Sequence, residues 1–334
     1  MTDEELNKIM GQKPTPKYYY RLDDFQYTNE PKERVLSGIR DLDFLTNGFE
    51  LGCITIWTGF TNAGKTTVMT MLAKKSIEQG ERIFFFNGEQ TKEDFKNNLY
   101  IQCSQENELI TKQYKTSCVE DTFVKTEKAF ALEKTIGNKI FIYNNEAPRS
   151  IDDLLYAMEE LRRTEKIRVF FLDNFMQIDI PSDNVFQEQT NIMEKLRTFA
   201  INKKVHIHLV AHPRKCEKFQ TRLTLYDVAG SSNIVNKAYN IISIVRVDSV
   251  KQDPKAYEKL EQELLEEKYI PELCGTVLEV LKTKGRKCGI VALTYNAKFK
   301  TYSNTPKMDY LGVTQRQKQT QEREQKQKQE MIPW

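Results

Sequence analysis

Apolar and polar positions change rhythm several times along the chain. Residues 1–35 are polar with few core signals; Thr2 and Glu5 suit a short capped helix that Gln12 to Pro16 would break. From Cys53 onward, short apolar runs at 54–57, 83–86, 140–143, 169–172, 205–210 and 241–245 read as strands. Several are apolar throughout, as strands covered on both faces are. Between them, 66–79, 151–163 and 190–202 carry helical periodicity. Strands alternating with helices in this way predict an α/β fold, a mostly parallel sheet covered by helices. Past Arg246 the pattern shifts: 253–268 reads as a charged helical surface insertion, and 276–282, 289–295 and 299–303 as an antiparallel C-terminal extension. Residues 315–330 hold seven Gln, five Lys or Arg and three Glu, too polar to bury a core, so a disordered or solvent-exposed helical tail is expected. Its apolar tip, Met331 to Trp334, reads either as a partner-docking peptide or as a frayed end.

The expected organisation is therefore an arm over 1–33, one core over 34–305 with an insertion at 251–270, and a tail over 306–334. Composition adds constraints. Lys plus Arg total 50 against 47 Asp plus Glu, a net charge of +3, which excludes a histone-like nucleic-acid coat but not a local basic patch. There is no run of about 18 apolar residues and no signal-peptide core, so no membrane association and a cytoplasmic location are expected. The six cysteines (53, 103, 118, 216, 274, 288) include no C-x-x-C pair, which argues against a zinc ribbon and for reduced thiols.

The most specific chemistry is Gly59-Phe60-Thr61-Asn62-Ala63-Gly64-Lys65-Thr66, followed by Thr67. It matches G-x-x-x-x-G-K-[ST] and lies between an apolar strand and an apolar-periodic helix, the context of a phosphate-binding P-loop. Its glycines let backbone N–H groups cradle phosphates at a helix N-terminus. Lys65 would reach the β- and γ-phosphates of ATP or another NTP, and the Thr66 hydroxyl would hold Mg²⁺. Asp173 ends an apolar strand, where open α/β sheets bind ligands, and is the second expected Mg²⁺ residue. Glu89 ends the strand after the P-loop helix and is placed either as general base for water or as a helix-capping acid. His206, His208 and His212 with Cys216 leave a metal site open, although H-x-H on a strand more often packs. A polar group at the His212 strand tip would face the γ-phosphate.

With these elements in this order, the chain resembles the helicase domain of DnaB-like replicative helicases, closest to the helicase halves of phage primase–helicases and of mitochondrial Twinkle. The resemblance spans about 34–305. It runs from 37–48, which opens Ser37-Gly38-Ile39-Arg40-Asp41-Leu42-Asp43, through 86–90, 170–177 and His212-Pro213-Arg214-Lys215 to Asp227-Val228-Ala229-Gly230-Ser231-Ser232, continuing through Asn240, and 282–289. It implies a RecA-like ATPase core in a hexameric ring, ATP and Mg²⁺ between subunits, and central loops gripping single-stranded DNA at a forked duplex. By the same resemblance Lys65, Glu89 and His212 are carried over as catalytic residues, His212 as the γ-phosphate sensor, and Thr66 and Asp173 as Mg²⁺ residues. Arg214 and Lys215 begin one DNA loop; Asn236 and Lys237 lie in a second. The family's finger motif is K-x-R, but here it reads Lys282-Thr283-Lys284, with Arg286 two residues on, so the trans cation is Lys284 or Arg286. Tyr239 stands where the family often has Asp. Tyr295 is either a nucleotide-base stacker or a cross-strand core tyrosine. The arm would pack on the adjacent subunit, and the tail would meet a separate primase, polymerase or single-strand-binding protein. Two other classes share the P-loop: a RecA-like recombinase or loader that does not unwind, and a small-molecule kinase.

Overall fold

The computed structural model describes residues 21–24, 27, 29–113, 120–180, 184–214, 221–228, 232–284 and 286–308. Lys215, Cys118, Cys216, residues 229–231 and the tail from 309 therefore lie outside the described residues. The chain divides into units 1–32 and 33–334. In the first, a 3-10 turn over Leu22–Asp24 is flanked by an Arg21–Asp23 ion pair of 2.9 Å.

The second unit opens with strands β1 (Arg34–Val35) and β2 (Phe49–Glu50), an antiparallel pair enclosing helix α1 (Arg40–Thr46). Then follow β3 (Ile54–Thr58), α2 (Lys65–Glu78), β4 (Ile83–Asn87) and α3 (Lys92–Gln102). A hairpin of β5 (Leu109–Gln113) and β6 (Glu120–Val124) precedes α4 (Thr126–Ile136), β7 (Ile140–Ile142) and α5 (Ile151–Thr164). The chain continues through β8 (Val169–Asp173), α6 (Val185–Lys203), β9 (His206–Val210), α7 (Ser232–Lys237) and β10 (Asn240–Arg246). Helices α8 (Val247–Val250) and α9 (Pro254–Glu266) lead to β11 (Thr276–Thr283), β12 (Gly289–Asn296) and β13 (Thr301–Asn304). One nine-stranded sheet has the order β13-β12-β11-β10-β3-β9-β8-β4-β7. Its strands from β10 to β7 run parallel, and β11, β12 and β13 are antiparallel, as the pattern predicts.

Side chains alternate across the central strands and feed two cores. Phe85 and Phe171 join Trp57, Val68 and Leu72 beneath α2. Phe84, Phe86 and Phe170 join Met158 and Leu196 beneath α5 and α6. Burial on both faces is why these runs are apolar without alternation. Helix α6 starts at Val185, not at 190, because the Asn184 side chain accepts from Gln187 N and caps it there. The 253–268 segment is not simply a surface insertion. Leu260 and Leu264 of α9 are fully buried with Val247, Val250 and Tyr269 in a third core. Among the described residues, no helix is long and apolar enough to cross a membrane.

Candidate functional site

The loop from β3 to α2 is shaped by its glycines. Gly59 has φ +156°, and a Cβ there would stand 2.6 Å from Ile244 O. Gly64 has φ +94°, and a Cβ would stand 2.2 Å from the Tyr302 hydroxyl. Both positions thus demand glycine for conformation and for space. Thr61 and Asn62 are exposed, Ala63 is buried, and Ala63 N donates to Phe60 O at 3.1 Å. Lys65 Nζ donates to Gly59 O at 2.8 Å and Phe60 O at 2.9 Å. Burial lowers the Lys65 pKa, against the opposing charges of Asp173 and Glu89.

Thr66 and Asp173 meet: the hydroxyl donates to Asp173 Oδ2 at 3.2 Å. Asp173 is 2% exposed. Burial, then the Glu89 charge, push its carboxyl from 3.8 to about 6, opposed by the Thr66 hydroxyl, Lys65 and His212. Such a carboxylate beside a hydroxyl suits a Mg²⁺ ion, which keeps waters and phosphate oxygens for its other positions. The 14-residue helix α2 has no side-chain cap at its N-terminus, so its first N–H groups suit phosphate oxygens.

Because folding raises the Asp173 pKa, the ionised form is the unfavourable one. The resulting penalty is absent below the unfolded-state value and complete once pH has risen through about 6. Asp173→Asn is therefore expected to stabilise the metal-free protein at neutral pH by about 2 kcal/mol, with no gain in acid. Denaturant unfolding across pH checks this; equal stability of the two proteins at neutral pH would contradict it.

Glu89 lies beside this pair. Asn87, at the end of β4, accepts from Glu89 N at 3.3 Å and Gln90 N at 3.1 Å, which sets the turn carrying the carboxylate. Glu89 Oε1 is 2.9 Å from His212 Nε2 and also accepts from Asn174 Nδ2. Asn174 Nδ2 is in turn 2.9 Å from His212 Nε2. Glu89, Asp173 and His212 thus come together with Lys65 and Thr66, where the motifs place them. Asn174 is a residue that motif reasoning misses; its only sequence signal is adjacency to Asp173. Tyr302, buried against Gly64, is another. Tyr295 pairs with Tyr302 across β12 and β13, its ring 5.0 Å away, yet remains 43% exposed.

His206 and His208 prove to be core residues. His206 Nδ1 lies 2.8 Å from Glu50 O and its Nε2 3.1 Å from Thr55 Oγ1, while His208 Nδ1 accepts from Trp57 Nε1 at 3.2 Å. Burial lowers the His206 pKa to about 4 and pushes His208 down as well, so both are neutral. Among the described residues no group of three or more His, Cys, Asp or Glu is placed to hold a metal ion.

The expected DNA residues do not converge. Arg214 is exposed just beyond β9, on the catalytic edge of the sheet, and its N donates to Asp227 O at 2.7 Å. Asn236 and Lys237 end α7, which leads into the start of β10, where Asn240 pairs with Thr55 near the start of β3. They therefore lie at the opposite edge from Arg214. Lys237 Nζ is also ion-paired with Glu194. Tyr239 hydroxyl reaches Glu50 Oε2 at 3.4 Å.

The finger hairpin sits at that same opposite edge, since Thr283 pairs with Asn240. Lys282 Nζ donates to Val235 O at 2.7 Å and Asn236 O at 3.2 Å. Arg286 Nη1 donates to Phe44 O at 3.4 Å on α1. Lys284 is exposed, with no hydrogen bond or ion pair among the described residues.

The model of the DnaB-like helicase C-terminal domain matches residues 35–304. The chain belongs to this family. As a DnaB-like helicase domain it is an NTP-hydrolysing, helicase-type enzyme, of a kind that generally uses nucleotide with Mg²⁺. Solved structures share its RecA-like fold. A DnaB-like replicative helicase, described with its interactions with primase, superposes at TM-score 0.65 and 15% identity, over 92% of this chain and 67% of that one. The ATPase domain of a phage helicase gives TM-score 0.65 and 15% identity, over 91% and 98%. A KaiC-like protein from the archaeon Pyrococcus horikoshii gives 0.52 and 16%, over 83% and 100%. A comparison with curated protein sequences returned no match.

Proposed function

We propose that this DnaB-like domain is the motor of a replicative DNA helicase, a homohexameric ring that translocates on single-stranded DNA and opens duplex at a fork. The observation that carries the reading is the placement of Lys284. The P-loop leaves the end of β3, whereas Lys284 leaves the end of β11, beside the start of β10. A cation at that edge cannot serve its own chain's site, which supports a role at a neighbour's.

Within one site the roles divide as follows. The α2 N-terminus and the Lys65 ammonium would bind the phosphates, and Thr66 with Asp173 would hold Mg²⁺. Mg²⁺ held there would supply charge neutralisation to the nucleotide. Glu89 accepts the proton of the attacking water, and His212 senses the γ-phosphate beside it. The loop base after His212 is pinned by the Pro213–Val228 bridge, so a shift of His212 is passed to Arg214 two residues on. Arg214, with Lys215, contacts DNA phosphates; such contacts carry no sequence information, which suits a translocating motor. Asn236 and Lys237 would join a second DNA loop only after Lys237 leaves Glu194. The C-terminal tail is assigned to a separate primase, polymerase or single-strand-binding protein.

The test is strand separation on 5′- and 3′-tailed forks by the full chain. The expected result is ATP-dependent unwinding from one tail polarity only, with ring particles in micrographs and neither ATPase nor unwinding for Lys65→Ala. ATPase stimulated by single strands without unwinding would replace this reading with a recombinase or loader. No stimulation at all would point to a P-loop enzyme that does not act on nucleic acid.

A further inference from the structure

Asn174 is 1% exposed and its side chain is held in one orientation, because Oδ1 accepts from Met176 N at 2.8 Å. Nδ2 therefore faces Glu89 and His212. A carboxamide nitrogen carries two protons and accepts nothing, so a hydrogen bond from it requires an acceptor. Glu89 Oε1 is one, and His212 Nε2, 2.9 Å from Nδ2, is the other atom within reach. An imidazole nitrogen that accepts carries no proton, so a bond from Asn174 to Nε2 goes with the His212 proton on Nδ1. Yet Nε2 also lies 2.9 Å from Glu89 Oε1. Left alone, those two atoms would share a proton on Nε2 and lock base and sensor directly together. The Asn174 amide decides between the two arrangements.

We propose that Asn174 is a positioning residue that fixes His212 as its Nδ1–H tautomer and holds Glu89 by Oε1, leaving Oε2 as the oxygen that takes the proton from water. The kinetic part rests on Glu89 being the base; the tautomer part does not. Without the amide, the His212 proton moves to Nε2, His212 donates to Glu89, and the carboxylate is drawn away from water.

Nitrogen-15 spectra of the histidines in the full chain, recorded above the imidazole titration range, test this without any turnover. The chain has three histidines, and the core pair supplies internal references. His206 donates through Nδ1 to the Glu50 carbonyl, and His208 accepts at Nδ1 from an indole N–H that can only donate, so it carries its proton on Nε2. The expected pattern is Nδ1–H for His206 and His212 and Nε2–H for His208. In Asn174→Ala, and in Asn174→Asp, which keeps the shape and the Met176 contact, His212 should switch to Nε2–H while His206 and His208 stay put and so report an intact fold. Glu89→Gln should leave the His212 tautomer as it is. In steady-state assays both Asn174 variants should lose about tenfold in kcat, with KM for ATP within about twofold. His212 protonated on Nε2 in the unmodified protein, or unmoved in both Asn174 variants, would overturn the proposal. Full hydrolysis by Glu89→Gln would instead overturn the base assignment and leave the tautomer result standing.

Discussion

Replacing Glu89 with Gln is expected to lower kcat for ATP hydrolysis by about 10²- to 10⁴-fold while leaving ATP binding intact. On the proposed reading Glu89 is the carboxylate left to take a proton from water, since Asp173 is buried and accepts from the Thr66 hydroxyl. Phosphate binding rests on other groups, Lys65 and the uncapped start of α2. Glu89 also contributes to the raised Asp173 pKa. Neutralising it lets Asp173 ionise more readily, so Mg²⁺ and nucleotide should bind at least as tightly as before. Equilibrium titration with a fluorescent nucleotide and single-turnover hydrolysis separate the two effects. Hydrolysis within a few-fold of the unmodified protein would exclude Glu89 as the base.

Rings in which every subunit carries Lys284→Ala should lose about 10²-fold or more in ATPase. A cation supplied in trans to the transferring phosphoryl group is a large term, and Lys acts there as a point charge without the bidentate fork of Arg. Arg286→Ala should cost only a few-fold, because its guanidinium already donates to the Phe44 carbonyl on its own α1. Mixed rings give the sharper measurement. Doping with Lys284→Ala should depress activity out of proportion to its fraction, since in the proposed ring each altered subunit would disable a neighbour's site. Strictly proportional loss for Lys284, with disproportionate loss for Arg286, would reverse the assignment.

The parts of this site that the sequence announces are those where backbone chemistry constrains residue type. Gly59, Gly64, Lys65 and Thr66 are spaced by the turn they make, and Asp173 ends a run whose burial on both faces requires apolar residues. What the sequence does not announce depends on strand order and on amide geometry. Nothing in 205–212 says that β9 lies between β3 and β8, and that placement is what buries His206 and His208 and leaves only His212 at the catalytic edge. Nothing local to Lys237 shows that Glu194, on α6, neutralises it. The charged 253–268 segment reads as surface because most of its residues are. It is attached by Leu260 and Leu264, buried in the third core, and by Arg222, distant in sequence, which pairs with Glu263 on α9 at 2.8 Å and with Glu279 on β11. Asn174 escapes because an amide that donates to two acceptors has no spacing signature.

The Tyr302 hydroxyl that crowds Gly64 comes from β13, at the far edge of the sheet and the last strand among the described residues. One wall of the phosphate cradle is therefore built more than two hundred residues after the cradle itself. A truncated chain ending before β13 would retain every residue of the P-loop motif and lose the packing that backs it. A chain ending before Tyr302 is accordingly expected to bind nucleotide less well than the whole domain, even with its parallel strands complete. On the proposed reading, nucleotide would first be gripped in its final geometry only after β13 has emerged from the ribosome.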